Sequence, residues 1–242
     1  MKVIAHRGAS GEYPENSLIA FQQAISQGCH GIELDVQWHP EGELFLLHDR
    51  YLDKLTNSHG KITDYSLQQL ANIKIKDQPL ATLYQALATI NGQCPINIEV
   101  KSNVSSPREL AAIVNALDKT LKQAINNGFC RYSDIIISSF NHQLLACSQQ
   151  LLPRIKRAAL LACSPLSVAS LIDSLEVESV NPSIDCLTAS LVNDIHALGK
   201  AVWVYTVDRE EDIAQCLNLG VDAIFTNYPA RTIQTINYLS TK

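Results

Sequence analysis

Three carboxylates, two histidines and two cations stand at the ends of short apolar runs in this chain. Glu33 and Asp35 alternate with Ile32, Leu34 and Val36, so both acids fall on one face of a strand. Glu99 and Lys101 alternate in the same way with Ile98 and Val100. His6-Arg7 ends the first apolar run, and His48-Asp49 follows another at Leu44–Leu47. Carboxylates crowded together repel one another unless a cation lies among them. Oxygen-only ligands suit Mg²⁺, Ca²⁺ or Mn²⁺ better than zinc. Glu33, Asp35 and Glu99 are therefore candidate ligands of one divalent cation. His6 and His48 are candidates for a general acid and a general base beside it. Arg7 offers a bidentate fork for a phosphate and Lys101 a point charge.

These residues need elements that bring them together. Nine strand-like runs are visible: 2–6, 31–37, 44–48, 96–100, 135–140, 157–161, 178–182, 201–207 and 222–227. Helical patterns fall between most of them, which argues for a parallel α/β fold. Run 44–48 is separated from its predecessor only by a turn at Pro40-Glu41-Gly42. So short a link makes an antiparallel hairpin and not a crossover. Eight strands remain, the number a closed barrel needs. The expected architecture is a (β/α)8 TIM-type barrel in one domain over 1–242, with a hairpin extending strand 2. A small insertion at about 50–80, polar and poorly periodic, should have little core of its own. Active sites of such barrels lie at the C-terminal ends of the strands, where the candidate residues stand. An open doubly wound sheet would call for a Gly-rich phosphate loop, and neither G-x-G-x-x-G nor a P-loop occurs.

Helix signals refine the outline. Asn16 reads as the N-cap of a helix carrying Leu18, Phe21 and Ile25 and closed by Gly28. Ser106-Pro107-Arg108-Glu109 reads as a capping box, and Asp208 with Glu211 as another. Those assignments explain Asn16 and Asp208 without any part in the site. His30, His39, His59, His142 and His196 are read as surface or capping residues. Ser138 and Ser139 lack an adjacent His–Asp pair, which excludes a serine nucleophile. Asp49 is a weaker candidate, as a residue orienting a neighbour or capping the insertion.

Bulk properties fit a soluble globular protein. Of the 242 residues, 46% are hydrophobic and 18% charged, as in a protein with a sizeable core. A net charge of −5 with no Lys/Arg block argues against nucleic acid as a partner. The longest apolar stretches are strand-sized, so no membrane insertion is expected. Five residues ahead of His6 leave no room for a leader, which points to a cytoplasmic location. The seven cysteines are odd in number and show no zinc spacing, so they read as buried, reduced thiols.

Taken together, His6-Arg7-Gly8, Pro14-Glu15-Asn16-Ser17, Glu33-Leu34-Asp35-Val36, His48-Asp49 and Glu99-Val100-Lys101 resemble the signature of the glycerophosphodiester phosphodiesterases. The resemblance covers essentially the whole chain. It implies a (β/α)8 barrel with an insertion after the His-Asp pair. It also implies metal-dependent hydrolysis of small-molecule glycerophosphodiesters, such as glycerophosphocholine or glycerophosphoethanolamine, to glycerol 3-phosphate and an alcohol. His6 and His48 would be the acid–base pair. Glu33, Asp35 and Glu99 would hold Mg²⁺ or Ca²⁺, with Mn²⁺ also suited, while Arg7 and Lys101 would hold the phosphate. The compact form is similar to the cytoplasmic bacterial members. The chain departs from the family pattern at Trp38-His39-Pro40-Glu41, at Tyr205 and at Asn227, which bears on substrate preference more than on reaction type. Two other readings use the same residues: a barrel lyase or aldolase with Lys101 as Schiff-base amine, and a barrel that binds phosphodiesters without cleaving them.

Overall fold

Parallel neighbours cannot be joined by a short turn, so each successive pair of barrel strands needs a crossover. The computed structural model, which describes residues 1–241, supplies them. Its strands are β1 (Lys2–His6), β2 (Gly31–Trp38), β3 (Leu44–Leu46), β4 (Lys74–Ile75), β5 (Gln78–Pro79), β6 (Ile96–Lys101), β7 (Ile135–Ser139), β8 (Lys156–Leu161), β9 (Ser179–Pro182), β10 (Ala201–Val204) and β11 (Ala223–Thr226). The helices are α1 (Leu18–Ser26), α2 (Leu67–Leu70), α3 (Leu83–Ile90), α4 (Pro107–Asn126), α5 (His142–Leu151), α6 (Val168–Ile172), α7 (Ala189–Ala197), α8 (Glu210–Asn218) and α9 (Pro229–Leu239). Parallel pairing runs β1-β11-β10-β9-β8-β7-β6-β2, and β2 returns to β1, so the sheet closes on itself. This is a (β/α)8 TIM barrel. The ninth strand, β3, is the hairpin partner of β2, pairing antiparallel from Val36↔Leu46 to Trp38↔Leu44.

Alternation along β2 sorts its side chains into two environments. Ile32, Leu34 and Val36 are buried in the main apolar cluster with Phe21 of α1 and Leu83 and Leu87 of α3. Glu33 and Asp35 therefore face the barrel interior. Inside, Ile4, Ala223 and Phe225 form a separate small cluster with Trp203 and Tyr205 packed against it. That cluster fills part of the interior and leaves the C-terminal end to polar groups. Among the described residues, no helix is long and apolar enough to cross a membrane.

Several local expectations need correction. Apolar run 44–48 forms a strand only to Leu46, because the Gln37 amide donates to the carbonyls of Leu47 (3.1 Å) and Asp49 (2.6 Å) and turns the chain aside. The N-cap of α1 is Ser17, whose hydroxyl accepts from the Ala20 amide (3.2 Å), and not Asn16. Arg209 precedes α8, so Asp208 is not its cap. Ser106 does precede α4, but its side chain makes no capping bond. The cysteines are free, yet only Cys130 and Cys216 are buried and Cys163 is exposed. Cys163 lies in the connection after β8, where no packed layer covers it.

The insertion also differs from the expectation. Phe45, Leu47, Leu52, Ile62, Leu70, Ile73, Ile75 and Leu80 form a buried cluster of their own. No period announces it, since each short turn, helix or bridge contributes only one or two of these side chains. His39, expected at the surface, is 4% exposed, and its Nε2 lies 2.9 Å from the Tyr65 carbonyl, tying the hairpin to the insertion. Leu70 is fully buried there. Leu70→Ala should cost about 2–5 kcal/mol of stability, read as a lowered denaturation midpoint.

Candidate active site

Strand register assembles the acids. Asp35 stands opposite Glu99 and Glu33 opposite Asn97 across β2 and β6, while His6 stands opposite Glu33 across β1 and β2. Carboxylate oxygens of Glu33, Asp35 and Glu99 lie within 4.8 Å of one another, and all three residues are buried. Asp35 is fully enclosed; it forms ion pairs with Arg7 Nε (3.1 Å) and Lys101 Nζ (2.9 Å) and accepts a hydrogen bond from Asn16 Nδ2 (2.9 Å). Burial works against its ionisation, but Lys101 and Arg7 outweigh burial and hold Asp35 well below the usual carboxylate range. The other two acids go the opposite way. Burial, then the charge of Asp35, pushes Glu99 up to about 7 and Glu33 well above its ordinary value. Two cations thus neutralise one acid well and leave the others short of positive charge.

Arg7 is fixed on both sides. Its φ of 59° lies in the left-handed region, within a tight turn whose next residue, Gly8, has φ 80°. A Cβ on Gly8 would lie 2.7 Å from the Ala20 backbone, so only glycine fits. The turn aims the Arg7 amide at Glu33 Oε2 (2.9 Å) and its guanidinium between Asp35 and Glu15, with Nη1 2.9 Å from Glu15.

His6 belongs to a chain of hydrogen bonds that sets its protonation. Its Nδ1 is 2.8 Å from Asn227 Oδ1, and Asn227 Nδ2 donates to Asp208 at 2.6 Å. Asp208 also accepts from the Asn227 amide (2.8 Å) and the Thr226 hydroxyl (2.9 Å). A carboxylate only accepts, so the amide group of Asn227 must turn its NH₂ to Asp208 and its oxygen to His6. That oxygen also only accepts. His6 Nδ1 therefore carries the ring proton, and Nε2, 4.0 Å from Glu33, is left with a free lone pair. Burial, then the charge of Arg7, lowers His6 to about 4 and keeps it neutral.

His48 is held differently. Its Nδ1 is 2.7 Å from the Asp49 carboxylate, which is in turn 3.6 Å from Lys54 Nζ. Asp49 thus orients the ring of His48. Burial lowers the His48 pKa, while Asp35 and Asp49 act in the opposite direction without overcoming it.

Lys101 bridges Glu99 and Asp35. Burial would lower its pKa, but those two carboxylates raise it above the ordinary value. An amine held protonated is a poor nucleophile, which argues against the Schiff-base reading.

One cavity of about 180 Å³ is lined by His6, Arg7, Glu33, His48, Glu99 and Lys101, with Asn97, Phe140, Leu160, Tyr205, Thr206 and Phe225. Asp35 belongs to the same carboxylate cluster and is fully buried. All the site residues picked from the sequence are thus brought to one place. Asn16, Glu15, Asp49, Asp208 and Asn227 support them. Asn16 and Asp208 were hidden by their type, because short polar residues before a helix are ordinary caps.

The arrangement fits a hard divalent cation. The donors are all oxygens, and Glu33 Oε1 is buried without a hydrogen-bond partner. The raised pKa values of Glu33 and Glu99 mark a deficit of positive charge that such an ion would fill.

Comparison with known proteins points the same way. Residues 6–231 match the model described as the glycerophosphoryl diester phosphodiesterase family. A glycerophosphodiester phosphodiesterase from Bacillus altitudinis is 31% identical over 245 residues, covering 96% of this chain and 97% of that protein. One from Caldanaerobacter subterraneus is also 31% identical, with 97% of each chain covered. Among solved structures, an Oleispira antarctica phosphodiesterase in complex with the product sn-glycerol-3-phosphate superposes with a TM-score of 0.89. It is 27% identical, and the match covers 98% of this chain and 97% of that one.

Proposed function

Because this chain belongs to the glycerophosphoryl diester phosphodiesterase family, we propose that it hydrolyses glycerophosphodiesters to glycerol 3-phosphate and an alcohol. Glycerophosphocholine and glycerophosphoethanolamine are included in the proposed substrate class. The observation that carries the reading is the pair His6 and His48 on one cavity with the buried carboxylates of Glu33 and Glu99. Residues 1–242 act as one catalytic domain.

Glu33, Asp35 and Glu99 would hold Mg²⁺ or Ca²⁺, and the same oxygens suit Mn²⁺. Such an ion, when bound, polarises a non-bridging phosphate oxygen and offsets the charge that develops there. Arg7 and Lys101 line the cavity and add positive charge toward the phosphate. His6 takes a proton at Nε2 from the attacking water or from the neighbouring hydroxyl of the glycerol. His48 delivers a proton from Nε2 to the leaving oxygen, and Asp35 and Asp49 support the imidazolium this role requires against the burial that lowers its pKa. Asp208 and Asn227 keep His6 in the tautomer with Nε2 bare.

Asn227→Leu removes the acceptor at Nδ1 and frees the ring to take the other tautomer. It should lower kcat about 10- to 100-fold, the usual loss when an orienting partner of a functional histidine is removed, with KM little changed. Proton-detected ¹⁵N spectra of the His6 ring should show the tautomer shift directly. The reaction itself is tested by an enzyme-coupled glycerol 3-phosphate assay over a panel of diesters and metals. Binding of the diesters without release of glycerol 3-phosphate would overturn the reading and favour a non-catalytic barrel.

A further inference from the structure

Past His48 and Lys101 the catalytic cavity opens into a larger groove of about 380 Å³. The two spaces share His48, Glu99, Lys101 and Phe140. Trp38 of the hairpin, Ile62 of the insertion and Val104 after β6 give the groove apolar walls. A phosphodiester joins two alcohols, and the proposed reaction makes one of them glycerol. The smaller space lies over the barrel interior, with Leu160 and Phe225 against it, and is sized for a three-carbon alcohol and its phosphate. The other alcohol then projects past His48 into the open groove, where its size and charge are read.

The charge on that groove is positive. Arg50 and Lys61, both from the insertion, line it. They flank one aromatic ring: the Arg50 guanidinium is 5.7 Å and Lys61 Nζ 5.9 Å from the centre of Tyr51. Among the described residues, neither makes an ion pair with a carboxylate. Apart from the catalytic Glu99, Glu109 is the one carboxylate on the described walls, and it is exposed. Two cations on the wall attract an anion and repel a quaternary ammonium.

We propose that this groove receives the leaving alcohol, and that Arg50 and Lys61 select alcohols bearing a second anionic group, a carboxylate or a phosphate, over choline. The proposal rests on the phosphodiesterase reading above and adds the substrate class to it. Each cation alone is screened by water, but both act on the same anion, so together they should favour it by about 3- to 20-fold. The charge lies away from the bond being broken, so the effect should fall on KM and leave kcat nearly unchanged.

The test compares four diesters of sn-glycerol 3-phosphate, with choline, glycerol, glycerate or glycerol phosphate as the second alcohol. Loss of each diester is followed by ³¹P NMR, in the parent chain and in R50Q/K61Q. The expected order in kcat/KM is anionic alcohols first, glycerol next and choline last. The double variant should lose this order while still cleaving the glycerol diester at the parent rate. Raising the ionic strength should flatten the order in the parent chain too, a measurement independent of any variant. A preference shared by glycerate and glycerol phosphate identifies a general anion site, and one confined to glycerol phosphate identifies a phosphate clamp. Choline cleaved as fast as the anionic alcohols, or an order that survives R50Q/K61Q, overturns the proposal. If none of the four diesters is cleaved, the phosphodiesterase reading itself has failed.

Discussion

His6→Ala and His48→Ala should each turn over glycerophosphodiesters about 10²- to 10⁴-fold more slowly than the parent chain, the range for removing one general acid or base. The loss should fall on kcat, because both rings act on protons that move only in the reaction. Neither ring supports much of the core. His6 lies at the C-terminal end of β1 and His48 on the loop after β3, both only partly buried. Thermal melts of the two variants should therefore stay within a few degrees of the parent. The two rings are held by unlike partners, an amide oxygen for His6 and a carboxylate for His48. That difference is why they are assigned opposite roles. Near-parent turnover by either alanine variant would show that the role given to that residue is wrong.

Removing divalent cations with EDTA should abolish activity, and Mg²⁺ or Ca²⁺ should restore it. Three buried carboxylates share two protein cations, so the site is short of positive charge without a metal. The cation should also stabilise the fold, by about 2.7 kcal/mol at a free concentration of 100 times its Kd, which appears as a raised melting temperature. Its binding has a predictable pH dependence. Glu99 sits at about 7 without the metal and must ionise to act as a ligand. Cation binding near neutral pH should therefore release protons and tighten as pH rises through 7. Calorimetry in buffers of different ionisation enthalpy measures that release. Glu99→Gln should weaken binding and remove the share of the proton release that comes from Glu99, leaving that of Glu33, whose pKa is also raised. Full activity in EDTA, with no change in melting temperature on adding metal, would refute the cation site.

Much of this site is legible in the chain because the residues that do chemistry sit on strands. Alternation puts Glu33 and Asp35 on one face, and the parallel pairing of neighbouring strands brings Glu99 opposite Asp35. Counting strands and removing the hairpin gives the barrel, since a link as short as the five residues 39–43 admits no crossover. The residues that position the chemistry are less legible. Asn16 and Asp208 carry the same local signal as helix caps, and Asn227 stands out only as a departure from the family pattern. Their partners lie at sequence separations of 19 residues for Asn16 with Asp35, 19 for Asp208 with Asn227, and 221 for Asn227 with His6. The insertion core leaves no sequence signal for a related reason. Its apolar side chains come singly from irregular turns, and neither a 3.6- nor a 2-residue period marks them.

The sequence alone determines the stretch that organises the site: one strand bearing two acids, a turn, and a return leading to His48. Periodicity and turn chemistry are local properties, and the residues themselves decide them. Only the tertiary structure shows that Gln37 bends the return aside so that His48 faces the cavity. Only it shows that Asp208 and Asn227 set the proton on His6, and that Arg50 and Lys61 stand along the groove beyond with no ion pair among the described residues. Each depends on which groups meet across the closed barrel and its insertion, and hydrogen-bond direction and charge balance are properties of those meetings.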